Sequence, residues 1–162
     1  MFKVFGFYKF TRITYLKKNK DLLHKFLIKK NIRGTIIISK EGLNGSISGK
    51  SDDIIYFKKK LQNIFRFKDF DSNNFSKSSF QPFHKAKVKI KKEVVPMNLA
   101  LSKRIKKKDS HIEPNKWNKL INDKNTFIID SRKPFEYKVG TFKKSINPDV
   151  DNFRDFPKYL KK

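Results

Sequence analysis

The fold of the first part of this 162-residue chain is decided by residues 34–49, which read GTIIISKEGLNGSISG. An Ile- and Thr-rich run opens this stretch and a Ser/Ile run closes it, and both are typical of β-strands. Between them, Asn44-Gly45 can adopt the positive φ angles of a tight turn, so we expect a hairpin. A phosphate contact is an alternative use of this turn, through the backbone amides of Gly42, Asn44 and Gly45.

Regular patterns flank the hairpin on both sides. Residues 4–10 alternate and are rich in aromatic side chains, as in a strand, and residues 18–30 place apolar side chains at helical spacing. A second amphipathic helix is predicted over 51–65 and a half-buried strand over 86–95. The polar stretch 67–83 is expected to form a loop or an irregular strand.

The predicted order is strand, helix, strand, strand, helix, strand, which is that of a ferredoxin-like α+β sandwich over residues 1–96. We expect most Phe and Tyr side chains of the first strand to lie in its core, because a small domain needs large apolar side chains there. Stacking of nucleic-acid bases on these rings is the alternative.

The charge of the chain is strongly positive and unevenly distributed. The net charge is +25, and residues 1–108 carry 28 Lys and Arg against 7 Asp and Glu, whereas residues 109–162 carry 12 against 8. This asymmetry indicates a polyanionic partner for the first part, most simply a nucleic acid. Only six of the 40 basic residues are Arg, so compositional drift in an A+T-rich coding sequence is the alternative.

Lysines alternate with apolar residues along the predicted last strand, which gives that strand a cationic outer face. We therefore predict RNA contacts at Lys87, Lys89 and Lys91. A basic linker follows over residues 97–110, and Arg104 within it is a further RNA-binding candidate. The alternative for the linker is a solvated tether.

Several kinds of chemistry are excluded or disfavoured by composition. The chain has no cysteine, which removes disulfides, thiolate metal sites and any cysteine nucleophile. The three histidines lie far apart without metal-ligand spacing, and nothing indicates a metal, flavin or nucleotide cofactor. No apolar stretch reaches 18 residues and no signal-peptide pattern opens the chain, so we expect a cytoplasmic protein without a membrane span.

A second unit is predicted over residues 111–162. A short helix begins at Pro114, and a buried type of strand covers residues 126–129. A second short helix is expected over 134–139, ended by a glycine, and another helix begins at residue 152.

Residues 130–142 (DSRKPFEYKVGTF), followed by SINP at 145–148, resemble the opening of a rhodanese domain. Asp130 at a strand end can pair with Arg132, and Glu136 can accept further hydrogen bonds, so that the turn between them is held. We expect these three residues to be scaffold of the site rather than reacting groups, since no nucleophile is present for them to orient.

Four further blocks, in matching order, extend this resemblance: residues 34–49, 88–95 (VKIKKEVV), 111–117 (HIEPNKW) and 152–157 (NFRDFP). Together they resemble the bacterial rhodanese-related tRNA uridine-34 hydroxylases over nearly the whole chain. The resemblance implies a ferredoxin-like N-terminal domain followed by the N-terminal part of an α/β rhodanese domain.

Members of that family hydroxylate carbon 5 of the wobble uridine, position 34 of tRNA, in an oxygen-dependent reaction. The resemblance therefore implies tRNA, at its anticodon region, and molecular oxygen as partners. In the family the rhodanese cysteine lies some way after the Phe-Arg-x-Phe-Pro segment, which is here residues 153–157, so we expect a chain truncated before that cysteine, with no catalytic residue of its own. The alternative is a non-catalytic tRNA-binding remnant; a sulfurtransferase or phosphatase needs the same absent thiolate.

Overall fold

The computed structural model describes residues 1–95 and 112–161. The first unit is Met1–Val95, and the described residues 112–161 belong to a second unit. The predicted linker 97–110, with Arg104, lies outside the described residues. Within the described ranges, no helix is both long and apolar enough to cross a membrane.

The first unit contains five strands and two helices. They are β1 (Phe2–Phe10), α1 (Leu16–Lys29), β2 (Arg33–Ser39), β3 (Gly42–Gly49), α2 (Ser51–Phe65), β4 (Ser72–Ser78) and β5 (Ala86–Ile90). The sheet has the strand order β4-β1-β3-β2-β5, with every pair antiparallel except β2 and β5. The first four strands and the two helices have the ferredoxin-like arrangement, so the predicted fold class of this unit is confirmed.

The prediction for the last strand of this arrangement was wrong. The sequence assigned that position to residues 86–95 and a loop or irregular strand to 67–83, but the fourth ferredoxin-like strand is β4, and β5 is an additional edge strand beside β2. The sequence of β4 is SNNFSKS, which has one apolar residue and low β-propensity. Its pairing with β1, where Phe75 stacks on Phe5 at 4.7 Å between ring centroids, makes it a strand.

The position of the hairpin turn also differs from the prediction. Ser39 pairs with Gly42, so the turn is made by Lys40 and Glu41, and the Asn-Gly pair lies within β3. A Cβ atom at Gly42 would collide with the carbonyl oxygen of Lys9 on β1. The glycine is thus required by a neighbouring strand rather than by the turn, and local sequence cannot show this.

Both helices pack on one face of the sheet and enclose an apolar core. Its fully buried side chains come from the sheet, from both helices and from the connection between α1 and β2: Phe5, Leu23, Leu27, Ile32, Ile36, Ile38, Leu43, Ile47, Ile54, Phe57 and Leu61. The apolar positions of α2, spaced by three and four residues, form a single stripe toward the sheet. The expected core placement of the β1 aromatic side chains is confirmed for Phe5 and Phe7, whereas Tyr8 and Phe10 are only half-buried.

The described part of the second unit is built from short elements. They are α3 (Pro114–Asn122), α4 (Pro134–Val139), a 3-10 turn (Phe153–Asp155) and α5 (Phe156–Tyr159). The strand predicted over 126–129 is reduced to a parallel bridge between Ile129 and Ile146, since one bridge does not make a ladder. The helix predicted from residue 152 is broken at its start, where Pro157 removes a backbone donor.

Candidate functional site

The sheet of the first unit has one face covered by the helices and one face without them, which we call the open face. Side chains alternate between the faces along each strand, and the buried Phe5 and Phe7 identify the covered face. Gly6 lies on the open face, because a Cβ atom built there would meet the side chains of Asn74 and Ser46. The residues of the open face follow from the strand register.

Two rows of paired residues cross the open face from one edge of the sheet to the other. The first row is Asn74, Gly6, Ser46, Thr35 and Lys87. The second row is Ser72, Tyr8, Asn44, Ile37 and Lys89. Each row spans about 19 Å, since neighbouring strands lie ~4.8 Å apart.

The two rows combine side chains that suit a nucleic-acid strand. All ten residues are exposed or half-buried, and none is acidic. Lysines mark the β5 edge, amides and hydroxyls fill the middle, and Tyr8 supplies an aromatic ring 5.8 Å from that of Phe10. Cationic groups hold phosphates, small polar groups bond base edges, and exposed rings stack on bases.

The predicted RNA-binding lysines have different positions. Lys87 and Lys89 lie in the two rows of the open face, whereas Lys91 follows the end of β5 and is exposed there. Arg104 lies outside the described residues. Tyr8 is one of the first-strand rings for which base stacking was the alternative, and Asn44 was considered for a phosphate contact. Only the register, which local sequence does not reveal, shows that both share a row with Lys89.

The three residues considered for a phosphate contact do not form a loop. Gly42, Asn44 and Gly45 all lie in β3, between β1 and β2, where backbone amides serve the two ladders. Gly45 faces the core, because a Cβ atom there would meet the Phe7 ring. Of the three, Asn44 has its side chain on the open face.

In the second unit, Asp130 and Arg132 form a bidentate ion pair, as the sequence predicted. The guanidinium Nε lies 2.9 Å from Oδ1 and Nη2 lies 2.6 Å from Oδ2 of the carboxylate. The same Nη2 donates to the carbonyl oxygen of Gly140 at 2.6 Å. The pair therefore joins the residue after the bridge to the end of α4. Glu136 acts locally, accepting from the backbone N–H of Lys133 at 3.3 Å.

Hydroxyl and amide groups extend this ion pair into a network. Thr141 donates to Oδ2 of Asp130 at 2.8 Å, and its hydroxyl lies 2.6 Å from that of Ser145. Tyr137 donates to the carbonyl oxygen of Ser145, while the Asn147 amide donates to the carbonyl oxygens of Asp130 and Arg132. The sequence drew attention to these segments but assigned no role to Tyr137, Thr141 or Asn147.

This network fixes the charge of Asp130. Hydrogen bonds from Arg132 and then from Thr141 hold the pKa of the Asp130 carboxyl well below its usual range, and the bond to Asp130 raises the pKa of Arg132. Near neutral pH the carboxylate is therefore ionised and fully engaged, which suits a structural clamp and not a proton donor. Among the described residues, no group of three or more His, Cys, Asp or Glu side chains could hold a metal ion.

A cavity of about 500 Å³ adjoins the clamp. Asp130, Arg132 and Thr141 contribute polar groups to its lining, and Trp117 and Phe142 contribute rings whose centroids lie 5.1 Å apart. The indole N–H of Trp117 is buried without a hydrogen-bond partner among the described residues. The clamp thus forms one wall of a mixed polar and aromatic cavity.

Comparison with known protein families identifies the first unit. Residues 2–94 match the UPF0176 acylphosphatase like domain. The chain is 68% identical over its full length to a tRNA uridine(34) hydroxylase of Pelagibacter ubique (strain HTCC1062). It is 34% identical, over 97% of its length, to a tRNA uridine(34) hydroxylase of Legionella pneumophila (strain Corby).

The chain spans 54% of the length of the Pelagibacter protein and 61% of that of the Legionella protein. Among solved structures, acylphosphatase from Bacillus subtilis is 11% identical with a TM-score of 0.40, covering 56% of this chain and all of that one. The chain belongs to the UPF0176 family, and its resemblance to the tRNA uridine-34 hydroxylases is confirmed.

Proposed function

We propose that this member of the UPF0176 family binds tRNA through the open face of its first unit and serves the hydroxylation of the wobble uridine, position 34. By resemblance, the reaction is the oxygen-dependent addition of a hydroxyl group to carbon 5 of the uracil ring, in the cytoplasm. The observation that carries the proposal is the open face itself, in a chain 68% identical to a protein named tRNA uridine(34) hydroxylase.

The open face suits single-stranded RNA, such as the nucleotides of an anticodon loop. Phosphates next to Lys87 and Lys89 would release counterions from the RNA, which favours binding at low salt. A base stacked on Tyr8 would gain about 1–3 kcal/mol, and the Asn44 amide beside it can bond a base edge. In the middle of the first row, Gly6, Ser46 and Thr35 have small side chains. The sugar-phosphate backbone of the RNA therefore has room to approach the sheet there.

The clamp of the second unit has a supporting part in this proposal. Asp130 and Arg132, with Glu136 nearby, hold the segment around the cavity in one conformation. No described residue of the second unit is proposed to react with the uridine. The ionised carboxylate of Asp130 is hydrogen-bonded to Arg132 and Thr141, and it therefore does not take up a proton from a substrate near pH 7.

The experiment is a titration of the whole chain with tRNA at several salt concentrations. The wild-type chain is expected to bind with an affinity that falls steeply as salt rises. Replacing Lys87 and Lys89 together by Gln should weaken binding and reduce the slope of log K against log salt by about 2. Tyr8→Leu should weaken binding about fivefold or more with little change in that slope.

The matched control carries Lys25→Gln and Lys59→Gln, which remove the same charge from exposed positions of α1 and α2. This variant should bind tRNA almost as the wild-type chain does. Binding that is independent of salt, or that is weakened equally by both double variants, would contradict the proposal. In the second case the effect would belong to net charge and not to the open face.

A second candidate function is tRNA binding without catalysis. It is favoured by the engaged state of the Asp130 carboxylate, which is hydrogen-bonded to Arg132 and Thr141. Mass spectrometry of wobble uridines in the source cell distinguishes the two. Loss of 5-hydroxyuridine at position 34 on deletion of the gene supports hydroxylation, and an unchanged level supports the non-catalytic function.

A further inference from the structure

A pocket of about 790 Å³ lies at one end of the sheet in the first unit. Strands β1, β2 and β5 run in the same direction, because β3 is antiparallel to both β1 and β2, and β5 is parallel to β2. Their carboxyl ends therefore meet at this end, where the segment between β1 and α1 also passes. The volume is within the ~300–1,000 Å³ of ordinary ligand pockets.

The segment between β1 and α1 is fastened to the β2–β3 turn by backbone hydrogen bonds. The N–H of Thr11 donates to the carbonyl oxygen of Glu41 at 2.9 Å, and that of Ile13 donates to Lys40 at 3.1 Å. A Glu41 side-chain oxygen accepts from the N–H of Val94 at 2.7 Å. The pocket wall is thus held by the fold and does not need a ligand to form.

The lining combines an apolar floor with a cationic rim. Ile13, Leu16 and Ile90 give the floor aliphatic side chains, and the lining contains no acidic residue. The cationic residues of the lining are Arg12, Lys17, Lys18 and Lys40. In the part of the chain that the structure describes, none of these four forms an ion pair.

An aromatic ring completes the lining. Tyr15 is 80% exposed although it belongs to the pocket, and its backbone is left-handed, with φ 51° and ψ 46°. A non-glycine residue in this conformation is disfavoured, and the exposed ring adds nothing to the core in return. Such a residue is common at ligand-binding sites.

We infer that this pocket binds one nucleotide of an RNA strand, with the base against Tyr15 and the apolar floor and the phosphate against the cationic rim. A ligand that is both flat and apolar at one end and anionic at the other satisfies both parts of the lining. The inference rests on the proposed function for the identity of the strand, and it adds a second contact point, distinct from the two rows of the open face.

The test uses the whole chain labelled with nitrogen-15 and two probes, a five-nucleotide oligouridylate and uridine 5′-monophosphate. Both probes should shift the backbone amide resonances of residues 12–18, 40 and 90. Tyr15→Leu should lower the affinity for the oligonucleotide about fivefold or more, and Tyr15→Phe, which keeps the ring, should restore it. Comparing Tyr15→Leu with Tyr15→Phe separates the loss of ring stacking from a general effect of substitution on folding.

Charge at the rim is tested by the double variant Lys17→Gln, Lys40→Gln against the control Lys25→Gln, Lys59→Gln. The rim variant should reduce the salt slope for the oligonucleotide by about 1, as expected for the loss of one phosphate contact, and the control should leave it unchanged. A penta-glutamate peptide, used as a third probe, should bind much more weakly than the oligonucleotide. Equal binding of this peptide would overturn the inference in favour of an acidic peptide ligand.

Failure of the pocket and failure of the proposed function give different results. If the oligonucleotide shifts only open-face resonances and Tyr15→Leu binds like the wild-type chain, the pocket inference is overturned while RNA binding by the first unit stands. If neither the oligonucleotide nor tRNA binds the wild-type chain, the proposed function is wrong and the pocket inference fails with it.

Discussion

The two units of this chain differ in how completely each one buries its apolar side chains. The first unit encloses eleven large apolar side chains that are fully buried between one sheet and two helices. In the described part of the second unit, Ile128 is the buried large apolar residue. Several others of that unit are exposed: Phe127, Phe135, Val139, Phe142 and Leu160.

The difference shows that the two units are stabilised by different interactions. The first unit depends on the hydrophobic effect over a closed core, which leaves its open sheet face free to carry lysines and polar groups. The described part of the second unit depends on a polar clamp around Asp130, with a single strand bridge. Charge follows the same division, since most of the excess positive charge lies in residues 1–108.

The largest expected contrast is in amide hydrogen exchange. Residues 34–49 lie in the centre of the sheet, so their amides should open only with global unfolding, whereas residues 127–146 should open locally. We expect exchange in the second segment to be faster by roughly a thousandfold or more. Equal protection of both segments, measured by NMR or mass spectrometry, would mean that the second unit is as stable as the first.

A matched pair of Phe→Ala substitutions tests the same contrast through stability. Phe57 is fully buried, with its ring 5.2 Å from that of Phe26, so Phe57→Ala should cost the first unit about 3–5 kcal/mol. Phe127 is 80% exposed, and Phe127→Ala should change stability by less than about 0.5 kcal/mol. Urea unfolding followed by circular dichroism gives both values. A larger loss of stability in Phe127→Ala than in Phe57→Ala would mean that the second unit, and not the first, depends on buried aromatic side chains.

The smallest effect concerns the clamp and its pH dependence. The pKa of Asp130 is lower in the folded chain than its unfolded value of about 3.9, so the clamp stabilises the second unit above roughly pH 4 and this contribution is lost as pH falls further. Asp130→Asn should therefore lower the urea midpoint of Trp117 fluorescence at pH 7, and the difference from the wild-type chain should shrink below pH 4.

Trp117 is the only tryptophan, and it lines the cavity beside Asp130, so its fluorescence reports on the second unit. If the difference in urea midpoint between the Asp130→Asn variant and the wild-type chain stays constant down to pH 2, the charge of Asp130 contributes nothing to stability. The stability lost in the variant would then come from the packing of the side chain or from a neutral hydrogen bond.

Helices in which apolar residues recur at regular spacing were predictable from the sequence. The apolar spacing of residues 18–30 and 51–65 gave both long helices within a few residues of their ends, because each helix buries a single stripe. The pairing of Asp130 with Arg132 was predictable for a similar reason, since the two residues are close in the chain and chemically complementary.

Features set by distant partners were not predictable. Strand β4 exists because β1 offers it an edge, and Gly42 is required by the carbonyl of Lys9, more than thirty residues earlier. The pocket at Tyr15 is assembled from three separate segments, and the rows of the open face need the register of five strands. A local pattern contains none of this information.

A lysine-acetylation footprint of the whole chain, recorded with and without tRNA, shows whether the first unit holds tRNA. We expect tRNA to slow acetylation of Lys87 and Lys89, to leave that of Lys25 and Lys59 nearly unchanged, and not to protect the lysines of the second unit. Those lysines include Lys119, Lys143 and Lys158, all of them exposed. Protection concentrated in the second unit, or spread evenly over both units, would show that tRNA is not held by the open face of the first unit.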